Sequence, residues 1–238
     1  MEDKLIKFDG VWLEDIAPDV KIDDVQVSPI IYNPLSSDRP LKYGAQFIRN
    51  TGGTRNVVVT FAVLTDDRES REEQLQAIRD WAITDRECKL FVPHFANRYL
   101  ECVCIEHPDT SYRQWWQNRL RLVFTCYNNP FWNSDEQQVY QCGIPFSVNG
   151  SAPPLMTIER RTYAPLVSQT YIKDNKVIRL SEIPAGTLII DLNTQLVTVS
   201  GVSIMQNVLP TSEFFEPVTG ANQVINGSGN VKVRERWV

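Results

Sequence analysis

Two histidines, three methionines and five cysteines are all that the 238 residues offer for metal or redox chemistry, and their spacing offers less. Cys88, Cys102, Cys104, Cys126 and Cys142 are odd in number, form no Cys-x-x-Cys pair and have no histidine at ligand spacing, so neither a zinc site nor a cofactor is expected. Cys102 and Cys104 share one face of an alternating segment, where reduced thiols act as small hydrophobes. That reading fits folding in a reducing compartment.

Basic clusters are also lacking. The net charge is -5, with Lys and Arg scattered along the chain, so the electrostatic footprint of a nucleic-acid binder is missing. No apolar run reaches membrane-spanning length, the longest being Val57 to Leu64, and no membrane insertion is expected. The opening MEDKLIKFDG is acidic and has no apolar core, so no ordinary secretory signal is expected there.

Catalytic constellations are equally scarce. His94 in FVPHFANRY and His107 in IEHPD have no nucleophile motif around them and read as turn residues. Cys104 and His107 differ in strand parity, so their side chains diverge. Asp66 and Asp67 precede a helical pattern, where acids interact with the positive end of the helix more often than they flank a glycosidic bond. NTGGT has neither the Lys nor the following helix of a phosphate loop. Nothing in the residues argues for an enzyme.

What remains is a β-rich chain. In RNVVVTFAVL both alternating faces are apolar, the pattern of a central strand covered on two sides, and the TGGT before it reads as a turn. YLECVCIE and RLRLVFTC give further strands, and KLFVPHFANRYLECV predicts strand, turn and returning strand. SREEQLQAIRDWAIT is helical over about 70–84, with a Ser70/Glu73 capping box and a stripe of Leu75, Ile78, Trp81 and Ala82. Residues 1–140 carry 22 acidic and 16 basic residues against 7 and 8 in 141–238, and five of the six Trp fall in the first part. The CGIPFSVNGSAPP stretch lies between them, which puts a domain boundary near Gly143. Beyond it, PLMTIE, KVIRL, the hairpin GTLIIDLNTQLVTVSG turning at Asn193 and Thr194, and VKVRERW are strands of a sandwich or jelly roll.

A chain with this profile acts through surfaces. Trp115 and Trp116 stand side by side at the start of a strand, so alternation sends one inward and leaves the other as an interface anchor or a half-covered Trp. Ile30, Ile31 and Tyr32, in the extended stretch from Ala17 to Phe47, are the other candidate interface residues. Phe214 and Phe215 are the only local aromatic pair that could face a sugar.

Read in order, the chain resembles the distal tail proteins of long-tailed phages, the siphovirus tail components. The resemblance rests on KFDG, a Pro-rich extended region before Gly-Gly-x-Arg, LQAIRDWAI, KLFVPHFANRYLECVC and LVFTCYNNPFW. It continues through PPLMTIE, GTLIIDLNTQLVTVSG, PVTGANQVI and RERW, and departs in the turn at Val218 to Asn222, where related chains tend to have Pro-Gly.

The resemblance implies a mainly β protein of two domains. Residues 1–142 would form a β-rich (α+β) ring-forming domain with its one helix, and 143–238 a galectin-like or carbohydrate-module-like β-sandwich. It also implies a structural hub of a phage or prophage tail tip, made in the bacterial cytoplasm and assembled as a hexameric ring that joins tail tube to baseplate. Partners would be the tail-tube protein, the tape-measure protein, the tail-associated tip protein and receptor-binding proteins. DNA would pass through the channel without sequence-specific binding. A carbohydrate-binding module is the alternative. A closed ring needs two different complementary surfaces on each subunit, and the extended N-terminal stretch is the expected arm.

Overall fold

The computed structural model describes residues 4–38, 45–65, 67–95, 97–107 and 120–238, with the backbone alone at 33–38 and 45–52. Among these residues the chain is mostly strand, and it divides into two compact units, Met1–Trp132 and Asn133–Val238. The division falls between Trp132 and Asn133, ahead of the Gly143 that the composition suggested. Residues 133–142 hold Asp135 and Glu136, counted with the acidic first part, yet Gln138–Gln141 pairs with the last strand of the second unit, and backbone pairing outweighs composition.

The strands of unit 1 are β1 (Lys7–Phe8), β2 (Val11–Trp12), β3 (Val20–Val27), β4 (Ile31–Asp38), β5 (Ala45–Val63), β6 (Cys88–Phe91), β7 (Arg98–Glu106) and β8 (Leu120–Cys126). All pairings are antiparallel, in the order β2-β1-β6-β7-β8-β5-β3. Strand β5 is central, as its two apolar faces predict: Val57 to Phe61 lie between β3 and β8. Its first half pairs only with β4, so β4 and β5 continue as a two-stranded hairpin, Asp38 against Ala45.

Gly52 and Gly53 lie inside β5 and make no turn. The register passes from Tyr32–Gly53 to Asn33–Thr51, which leaves Gly52 in a bulge. A Cβ on Gly53 would stand 2.6 Å from Cγ2 of Ile30, so glycine is what lets the two backbones approach.

Among the described residues, unit 1 has two helices, the single turn α1 (Leu13–Ile16) and α2 (Arg68–Ala82). The predicted stripe is right: Leu75, Ile78 and Ala82 are buried. The predicted cap is not. Asp67 is the N-cap and its side chain accepts from the Ser70 backbone N–H at 2.8 Å, which starts the helix earlier than the Ser-x-x-Glu pattern indicates. Trp81 locks the helix to the sheet. Its ring meets Phe8 at 5.7 Å and Phe124 at 6.4 Å, these two meet at 5.0 Å, and its Nε1 donates to the Val11 carbonyl at 3.2 Å.

The end of β8 is clamped. Glu87 accepts from the Tyr127 and Asn128 backbone N–H groups at 2.7 and 3.0 Å and from Asn128 Nδ2 at 2.7 Å. Asn129 Nδ2 donates to Glu101 at 3.2 Å. Trp132 is buried, edge-on to Phe95 at 5.0 Å, with the Arg55 guanidinium 6.0 Å from its ring centroid. The Asn-Asn-Pro-Phe-Trp stretch thus closes one end of the core.

Strand β9 (Trp132–Ser134) straddles the division. Unit 2 contains β10 (Gln138–Gln141), β11 (Phe146–Val148), β12 (Ala152–Thr162), β13 (Leu166–Lys173), β14 (Lys176–Ile183), β15 (Gly186–Asp191), β16 (Leu196–Val199), β17 (Val202–Ser203), β18 (Gly220–Gln223) and β19 (Asn230–Trp237). One sheet runs β17-β16-β15-β12-β19-β10, and the pairs β13-β14 and β11-β18 supply the remaining strands. Met156, Ile158, Tyr171, Ile178, Leu188, Ile190, Val231 and Val233 fill a common core, the packing of a sandwich.

The β15–β16 hairpin matches the sequence reading, with Asp191 Oδ1 accepting from the Asn193 and Thr194 N–H groups at 2.9 and 3.2 Å. Gly220 and Asn222 have positive φ, as the turn reading expected, but stand within the bulged pair β11-β18.

Candidate functional site

No catalytic constellation assembles among the described residues. His94 and His107 are exposed and far apart in the chain, and no group of three His, Cys, Asp or Glu could hold a metal ion. No helix is long and apolar enough to cross a membrane. Cys88, Cys102, Cys126 and Cys142 are buried free thiols, and burial raises the thiols of Cys88, Cys102 and Cys142. A depression of about 490 Å³ beside α2, lined by Phe8, Val11, Ile16, Trp81 and Ile83, contains no nucleophile with a base.

Surfaces are the more informative feature. Ile31 and Tyr32 begin the hairpin and are 54% and 44% exposed. Ile30, the third candidate there, is 9% exposed and packs toward Gly53, so it belongs to the core and not to a free face. The β4–β5 excursion has no third strand on either edge among the described residues. Its row of unpaired backbone groups is a template for another chain. Trp115 and Trp116 lie outside the described residues.

Phe215 is 3% exposed and Phe214 packs half-buried against the same core, so neither ring stands free as a sugar platform. The exposed aromatic of unit 2 is Tyr163, 86% exposed at the turn between β12 and β13, with the Arg161 guanidinium 5.3 Å from its ring centroid. Val167, also 86% exposed, follows on β13. The reading of the sequence passed over this turn, although an aromatic beside Pro165 between two strands was its signal.

No protein family and no curated protein matches the sequence. Solved structures do match. One solved phage protein shares the fold of the whole chain. The structure that shows it is the Dit protein (gp 19.1) of phage SPP1, described as a paradigm of the hub adsorption apparatus in phages that infect Gram-positive bacteria. It superposes with a TM-score of 0.76 over 98% of this chain and 99% of that one, at 14% identity. Chains of the phage P2 baseplate, activated with Ca or with Sr, align at TM-scores of 0.44 and 0.45 and 8% identity, covering 91% of this chain and 90% of theirs.

Proposed function

We propose that this chain is a structural, non-enzymatic hub of a phage or prophage tail tip. The observation that carries the reading is the end-to-end match of fold with the SPP1 hub protein, both units included. Copies join through unit 1 into a closed hexameric ring between the tail tube and the baseplate or receptor-binding apparatus. The tape-measure and tip proteins meet the ring, and DNA crosses its channel.

The hairpin supports this reading physically. An isolated two-stranded hairpin is marginal in water, and a neighbouring subunit that pairs with its edge or covers Ile31 and Tyr32 stabilises it. In unit 2, Tyr163 and Val167 offer an exposed aromatic and aliphatic pair to a receptor-binding protein, aromatic anchors being favoured at interfaces.

Negative-stain imaging with native mass spectrometry of the full chain tests the ring. Rings of six with a central hole are expected. A chain that stays monomeric at high concentration, and also in the presence of purified tail-tube and tip proteins, overturns the reading.

A further inference from the structure

Four residues of unit 1 stand in one row across adjacent strands. Cys88 on β6 is the register partner of Cys102 on β7. The β7–β8 register, Val103 with Thr125 and Cys104 with Phe124, sets Cys102 against Cys126. Cys126 on β8 is in turn the partner of Arg55 on β5. Directly opposed residues point to the same face of a sheet, and all four are buried. The row is therefore three free thiols and a guanidinium side by side.

Only one pair of thiols is set up to join. The Cys102 and Cys126 side chains interact with each other, whereas the Cys88 sulfur is turned to the Arg86 carbonyl at 3.6 Å. Opposed Cα atoms in an antiparallel ladder are about 4.5–5.5 Å apart. A disulfide spans about 4.4–6.8 Å, so the strands need not move. Arg55 adds a second peculiarity: its Nε and Nη1 are buried without a hydrogen-bond partner among the described residues.

We propose that Cys102 and Cys126 form an oxidative cross-linking site, at which an oxidant of the peroxide class closes a disulfide tying β7 to β8 while Cys88 stays reduced. Arg55 stands beside Cys126 in the row and interacts with it electrostatically. The Cys126 sulfur attacks one peroxide oxygen, the O–O bond breaks, the thiol proton leaves with the displaced hydroxyl, and a sulfenic acid and one water result. Cys102, whose thiol burial pushes well up, enters second. Its sulfur displaces the hydroxyl of the sulfenic acid, the S–S bond forms, and its proton leaves with that hydroxyl as the second water. Two thiols lose two electrons in all, and one peroxide becomes two waters.

Both sulfurs are shielded from solvent, so the oxidant enters only when β7 and β8 open locally, and the reaction is slow. The chemistry rests on the row of residues alone. The hub reading adds only the occasion, since a virion leaves the thiol-reducing cytoplasm at lysis.

The full chain, kept folded, is treated with hydrogen peroxide, alkylated, and mapped by mass spectrometry without reduction; thiols are titrated in parallel after unfolding. The five thiols should fall to three, with Cys102 linked to Cys126, and the link should persist in Cys88→Ala. The oxidised chain should melt at a higher temperature and return to the original value on reduction. A link from Cys102 to Cys88 or Cys104, or five thiols surviving after a day while the denatured chain oxidises, overturns the proposal. The wild-type map decides even if a cysteine variant fails to fold.

Discussion

Tyr171 shows how much one side chain fixes in unit 2. Its ring is fully buried, its hydroxyl donates to the Ser228 carbonyl at 3.0 Å, and a Cβ on Gly227 would stand 2.4 Å from its Cδ1. Tyr171→Phe removes one hydrogen bond, the one to the Ser228 carbonyl, and should cost about 1 kcal/mol in urea unfolding at neutral pH. Burial holds the Tyr171 hydroxyl well above the ordinary tyrosine range, so the folded state keeps a proton that the unfolded chain loses. That stability is whole below about pH 10 and is lost as pH rises beyond it. The gap between wild type and Tyr171→Phe should therefore narrow at alkaline pH; a constant gap would refute the burial argument. At this scale the sequence was legible where a residue sits in a regular strand, as with Phe61 or Ile190. It was illegible for Phe214 and Phe215, which lie outside any regular strand, so no alternation shows which way they point.

The elements tell the same story with one more variable, the neighbour. Helix α2 was readable because its stripe repeats over four turns, but its start was set by the side chain that reaches the free N–H groups, and Asp67 outcompetes Ser70. Asp67→Ala should cost about 1 kcal/mol, and Ser70→Ala much less, by thermal or urea unfolding. Gly52 and Gly53 looked like a turn because paired glycines commonly make one. Pairing with β4 keeps them in a strand, and the partner that decides this lies some twenty residues away in the chain. The hairpin carries a second prediction. Exposed substitutions change stability little, so Ile31→Asp with Tyr32→Asp should leave the melting temperature nearly unchanged and abolish the ring in native mass spectrometry. A ring that survives would place the contact elsewhere.

For the whole molecule, two compact units with separate cores imply that the second folds by itself. A fragment of residues 133–238 should melt cooperatively with a β-type circular dichroism spectrum, and one beginning at Gly143 should be less stable because it lacks β10 and its ladder to β19. The composition break lies near Gly143 and the division between compact units after Trp132, since charge density follows surface and strand pairing defines the unit. The length of β5 has a mechanical consequence. Nineteen residues run from Ala45, at the far end of the hairpin ladder, into the middle of the sheet, where β3 and β8 hold them on both sides. Tension applied at the tip is delivered along the strand axis, across ladder bonds that lie perpendicular to it, so those bonds are loaded together in shear and not unzipped one at a time. The arm is anchored like a tenon, and a load at its tip reaches the core before it can peel the arm away.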